Sequence, residues 1–259
     1  MSDQPYQLRP VLHFRIALLL AATGVVAVLL LMPYLFSVMP QLAVRTSLSL
    51  PVFAAIQSLQ EGVLLLMLGW AGLRLGYANH LDAPLLRRWL RAGPENPLSS
   101  HWTVSIALGL AVGMVVLLLL HAFAALSSDT GLTAYNGPVW WKGLLASFYG
   151  GFVEEVQCRL FLVSLLVWLG ARTRSTSVPG TGIYWIAIVL AAVIFGIGHL
   201  PILAQTTVLT TGSVLSTIGL NALCGVVFGW LFWRHGLEHS MLAHFSTDLV
   251  LHVVAPAFG

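Results

Sequence analysis

The sequence predicts an all-α, polytopic membrane helical bundle, and three observations carry that prediction. Apolar residues make up 58% of the 259-residue chain and charged residues only 8%, against about 25% charged in soluble domains. The apolar residues gather in runs of roughly 20, the length a helix needs to cross a hydrocarbon core of about 30 Å. The Lys and Arg residues lie, Arg159 excepted, at the flanks of these runs rather than inside them. The net charge of +3 is therefore loop chemistry and gives no reason to expect a nucleic-acid partner. Cys158 and Cys224 both fall in apolar runs, so no disulfide framework is indicated.

About seven transmembrane helices are expected, over roughly 16–36, 52–73, 104–126, 143–169, 183–199, 214–233 and 239–254. The first follows a polar leader; its apolar run exceeds the roughly 7–15 residues of a cleaved signal core, so it is expected to be retained as a span. Arg9, Arg15, Arg74, Arg87, Arg88, Arg91, Arg172, Arg174 and Arg234 flank one side of the resulting topology, and only Arg45 and Lys142 the other. Segments rich in Lys and Arg stay cytoplasmic, which places the N-terminus in the cytoplasm and the C-terminus outside. The location expected is a bacterial plasma membrane.

Two connections stand out. In "NHLDAPLLRRWLRAG", leucines and Trp89 alternate with arginines, a pattern that suits either an extra helix lying in the membrane interface or a solvated loop. "PILAQTTVLTTGS" carries no charge and is too short to cross; it suits either a membrane-dipping gate beside a site or an apolar loop, and a loop is the expectation. With no repeat and no low-complexity tract, residues 1–259 form one integral membrane domain.

The chemistry lies in charges inside the apolar runs. Each costs about 2.5–3.5 kcal/mol at the centre of a membrane helix, so Glu154, Glu155, Arg159 and Asp248 must be paired or face a wet cavity. Glu155 and Arg159, four apart, share a helical face and can pair. Glu154 is turned by about 100° on an α-helix and is left over. "FGIGHLP" ends the fifth run with His199, and "HSMLAHFSTD" sets His244 and Asp248 four apart. A carboxylate free of its neighbour's ion pair, with histidines on two other spans, is a set suited to hydrolysis by activated water. The parts of a serine elbow or an H-E-x-x-H zinc pair are absent from the sequence.

Taken in order, "EEVQCR", "FGIGH" and "HFSTD" resemble the CAAX prenyl protease and bacteriocin-processing family of intramembrane proteases, whose pattern is E-E-x-x-x-R, F-x-x-x-H and H-x-x-x-N/D on successive helices. The resemblance covers roughly 139–252. It implies N-terminal spans over 15–130 and a catalytic core over 139–256. It further implies that Glu154 activates water with His199 sharing the task, that His244 and Asp248 line the oxyanion side, and that Glu155 and Arg159 brace the site. Leu160 stands where many members have Gly. Asp248 stands where Asn is common, and an Asp donates a hydrogen bond only when protonated. The implied activity is an endopeptidase acting on a membrane-associated, prenylated or hydrophobic peptide or protein. No cofactor is required by this scheme, although Glu154, His199, His244 and Asp248 would also make a ligand set for a divalent metal such as zinc. Other readings stay open: a non-catalytic immunity or scaffold protein of the same fold, Cys158 as a thiol nucleophile, and a proton-coupled carrier using Glu61 and His121.

Overall fold

The computed structural model describes residues 10–91, 101–126, 138–173 and 179–258. Among them every regular element is helical: α1 (Pro10–Val38), α2 (Pro40–Arg45), α3 (Leu50–Gly76), α4 (Pro84–Arg91), α5 (Trp102–Leu126), α6 (Trp140–Phe148), α7 (Ser164–Thr173), α8 (Thr181–Gly198), α9 (Leu200–Thr206), α10 (Thr211–His235), α11 (Leu237–Asp248) and α12 (Ala255–Phe258). This is the expected all-α membrane bundle.

Five helical stretches are long and apolar enough to cross a membrane, namely Leu12–Val38, Leu50–Asn79, Trp102–Phe123, Thr181–Thr206 and Thr211–His235. The other two expected spans are helical along their whole length but assembled from shorter pieces. α6 runs into α7 through two π-helical stretches, Tyr149–Glu154 and Val156–Val163, and α11 runs into α12 through a third, Leu249–Val254. These two segments carry Glu154, Glu155, Arg159, His244 and Asp248. The polar cargo and the interrupted winding that set them apart go together, since π turns cluster at functional sites.

The connections follow local chemistry. The expected loop after His199 is instead largely helix: Pro201 falls in the first turn of α9, where its missing N–H costs no hydrogen bond. Thr210 then starts α10 with a capping box, its Oγ1 accepting from Ser213 N at 3.0 Å while Ser213 Oγ accepts from Thr210 N at 2.9 Å. The "LLRRWLR" segment is helical, as α4, with Trp89 71% exposed. Its Arg87 is turned inward, however, with Nη2 on Asp82 Oδ1 at 2.7 Å and its guanidinium over the Tyr77 ring.

That corner positions the last helix. Gly236, with φ of 99°, makes the turn from α10 to α11, in a conformation that side chains resist. Leu237 N donates to Asp82 O at 3.0 Å and Leu86 N donates to Glu238 Oε1 at 2.9 Å. Further along, α11 lies against α5, with Gly109 directly over the Ala243 backbone, and Gly143 of α6 meets the His252 backbone. Contacts this close need small residues.

Gly109→Val is expected to destabilise the detergent-solubilised protein by about 1–3 kcal/mol, because the added carbons meet backbone rather than a movable side chain. Gly219→Ala, whose Cβ meets nothing within 4 Å, is expected to leave the melting temperature unchanged or slightly raised. Equal behaviour of the two variants in a thermal melt would contradict the α5–α11 packing.

Candidate active site

Glu155 lies at the centre, with no exposed surface. Its Oε1 is 3.0 Å from Arg159 Nη1 and 2.7 Å from His244 Nδ1, and Ser240 Oγ donates to its Oε2. Ser240 and His244 are four apart on α11, so one face of that helix grips a carboxylate carried by the π segment after α6. The expected Glu155–Arg159 pair is present, but the same carboxylate also holds α11.

Arg159 is 2% exposed. Its guanidinium carbon sits 4.7 Å from the centre of the Phe195 ring and 5.2 Å from that of Phe228, two faces suited to a cation. Phe195 is the aromatic residue of "FGIGH", so the spacing in that motif puts a ring on the arginine of the first. Leu160, where a glycine was noted as common, is fully buried in the core, its backbone against Gly72.

His244 carries the working edge. With Nδ1 committed to Glu155, Nε2 faces the other two carboxylates, 3.7 Å from Glu154 Oε2 and 3.7 Å from Asp248 Oδ1. The ring is stacked on Phe228 with centroids 4.5 Å apart. A distance of 3.7 Å is too long for a direct hydrogen bond and too short for a water on the line between the groups, so a water that touches both would sit on the cavity side. Gly150 leaves the room this needs: a Cβ there would run into the Asp248 carboxylate and lie 3.1 Å from His244 Nε2.

A cavity of about 530 Å³ lies in front of these groups, lined by Glu154, His199, His244 and Asp248 together. All four expected catalytic residues therefore share one cavity wall. His199 does not join Glu154 directly, since no ion-pair contact within 4.0 Å links them among the described residues. Its Nδ1 approaches Phe195 O at 2.9 Å, a bond that an Nδ1–H can donate, leaving Nε2 as acceptor. Cys158 is not part of this wall, which removes the geometric basis for a thiol nucleophile with His199 as base. Glu61 accepts from Gln157 Nε2 at 2.7 Å, and His121 Nδ1 lies 2.8 Å from Leu117 O on an exposed turn.

Zinc would need its donors about 2.0–2.2 Å from one point. Among the described residues no three His, Cys, Asp or Glu side chains converge as a metal set, so the Glu154–His199–His244–Asp248 alternative does not fit this arrangement.

Residues 136–250 match the family model described as type II CAAX prenyl endopeptidase Rce1-like. Over this segment, fewer than half of the 259 residues, the chain is similar to an Rce1-like domain. No curated protein and no solved structure gives a match. The limits of this domain agree closely with the stretch over which the sequence motifs were recognised, and all six expected site residues lie inside it.

Sequence reasoning missed three parts of this site. Ser240 is an ordinary serine until α11 is placed against Glu155. Phe228 lies in an apolar run and only the fold puts its ring between Arg159 and His244. His252 had a signal, because His244, Asp248 and His252 form an i, i+4, i+8 series. It lines the cavity, with its ring edge-on to Tyr34 at 5.7 Å.

Glu155→Ala is expected to lower stability by about 3–5 kcal/mol, by stranding the buried Arg159 guanidinium. Glu154→Gln, whose side chain is 20% exposed to the cavity, is expected to change the melting temperature little. Comparable losses in both variants would show that Glu155 does not have the anchoring role its contacts describe.

Proposed function

We propose that the protein is an intramembrane endopeptidase that cleaves a membrane-associated hydrophobic or prenylated peptide by attack of an activated water. One observation carries the reading: the Glu154 and Asp248 carboxylates each stand 3.7 Å from His244 Nε2 on the wall of a cavity that also holds His199. A water on the cavity side can lie within reach of both Glu154 and His244. The Rce1-like domain supports the same reaction class.

In the proposed reaction Glu154 takes a proton from the water as its oxygen adds to the scissile carbonyl carbon. The developing oxyanion is met by Nε2–H of His244 in its doubly protonated form, Nδ1–H staying on Glu155, with Asp248 as a second donor when it carries a proton. The C–N bond then breaks, and the proton held by Glu154 passes to the leaving amine. His199, across the cavity with Nε2 as acceptor, orients the water or relays its proton. Glu155 keeps Nδ1–H of His244 in place, so that Nε2 is the nitrogen presented to substrate. Arg159 balances Glu155.

The test is cleavage of a hydrophobic or prenylated reporter peptide by purified protein in detergent. Glu154→Ala and His199→Ala are each expected to lower the rate by about 10²–10⁴-fold, the range of a lost general acid–base group, with unchanged melting temperatures. Undiminished cleavage by both folded variants would sink the assignment. Full biological function in a Glu154→Gln strain would instead favour a non-catalytic scaffold.

A further inference from the structure

The cavity has a direction. Its lining residues lie at one end of the bundle on every helix that contributes: Tyr34 near the C-terminus of α1, Leu120 near that of α5, Ile202 on α9, Ser216 near the N-terminus of α10 and His252 beyond α11. At the other end the cavity wall includes Phe228, with the buried Arg159 guanidinium over that ring and Glu155 paired to Arg159. Beyond Phe228 along the bundle, Leu231, Phe232 and Leu237 are fully buried.

The basic residues lie at that end. Arg15 begins α1, Arg74 ends α3, Arg87 and Arg88 are on α4, Arg172 ends α7 and Arg234 ends α10. Among the described residues the cavity end has only Arg45, at the end of α2, and Lys142, at the start of α6. Short segments rich in Lys and Arg are retained in the cytoplasm.

Combining the two, we infer that the cavity opens on the non-cytoplasmic face, and that the site takes a peptide segment presented from that side of the membrane. This rests on the endopeptidase reading above and narrows its substrate class. From Ser216 to Phe228 the cavity follows α10 for about 18 Å at 1.5 Å per residue, more than half of a hydrocarbon core of about 30 Å. An extended peptide covers that depth with about five or six residues. The substrate is therefore an exported or outward-facing hydrophobic segment that threads a short extended stretch inward to Glu154. A tail that stays on the cytoplasmic surface meets the arginine-rich end, away from the residues that line this cavity.

The test uses the full-length protein with Cys158 and Cys224 replaced by Ser, confirmed to cut the detergent reporter. Single cysteines are then placed on the cavity wall (Thr217→Cys, with Ile202→Cys as a second) and on α4 at the opposite end (Arg88→Cys). A membrane-impermeant charged thiosulfonate is applied to right-side-out spheroplasts and to inverted vesicles. Thr217→Cys and Ile202→Cys are expected to label in spheroplasts and lose labelling in inverted vesicles, with Arg88→Cys showing the reverse. Alongside, two single-span reporters carry one hydrophobic segment on the outer or the inner flank, and only the outer one is expected to be cut, with cutting lost in Glu154→Ala. Labelling of the cavity cysteines from the cytoplasmic side, or cutting of the inner reporter alone, overturns the inference. Outward labelling with no cleavage of either reporter, or of the detergent peptide by wild-type protein, overturns the endopeptidase reading and the substrate class with it, while leaving the direction of the cavity standing.

Discussion

The structure depends on one buried anion. Glu155 has no exposed surface, yet it meets Arg159 on its own segment and both Ser240 and His244 on α11. An unpaired charge at that depth costs about 2.5–3.5 kcal/mol, and leaving a buried partner stranded costs about as much again. The two segments that are least apolar are thus held together by the charges that make them poor membrane spans. Phe195 and Phe228 complete the clamp by each placing a ring against the guanidinium, which joins α8 and α10 to the same point. Four helical segments converge on Arg159 and Glu155 before any catalytic group is considered.

Winding decides how the remaining groups are shared. On a regular α-helix Glu154 and Glu155 point about 100° apart, and two adjacent carboxylates would not be expected to address one imidazole from both sides. The π stretches Tyr149–Glu154 and Val156–Val163 flank the pair, and here Glu155 holds Nδ1 while Glu154 faces Nε2. Gly150, one turn earlier, removes the side chain that would otherwise fill the place of the Asp248 carboxylate. A third π stretch begins directly after Asp248. Backbone irregularity and site geometry are here one feature seen at two scales.

Much of this was legible in the sequence because the expense of a membrane charge leaves few candidates. Glu154, His199, His244 and Asp248 could be picked out without coordinates, and they line one cavity. Spacing alone also gave the Glu155–Arg159 pair. What could not be read was anything set by winding or by a neighbour remote in sequence. A 100° rule hides the shared imidazole, and Ser240 gains its role only from Glu155, 85 residues away. The stretch after His199 looked like a loop because Leu-Pro ends a helix; it also starts one, since proline is well tolerated in a first turn. The inward turn of Arg87 toward Asp82 was hidden for the same reason, because a periodicity that suits an interface helix does not say which arginine finds a partner.

Three acids around one imidazole raise the question of why they do not duplicate one another, and burial answers it. Glu155 is sealed and bound by three partners, so it can orient but cannot reach a substrate. Asp248 is on the same helix as His244, one turn on, with its side chain 11% exposed, and is fixed relative to the ring whatever enters the cavity. Glu154 is the most open of the three at 20% and belongs to a different segment from the imidazole it faces. A water touching both Glu154 and His244 Nε2 would therefore be gripped by two independently anchored groups, and of the three carboxylates Glu154 has the most freedom to exchange a proton with it. Asp248 stands beside such a water without displacing the pair that would hold it, Glu154 and His244.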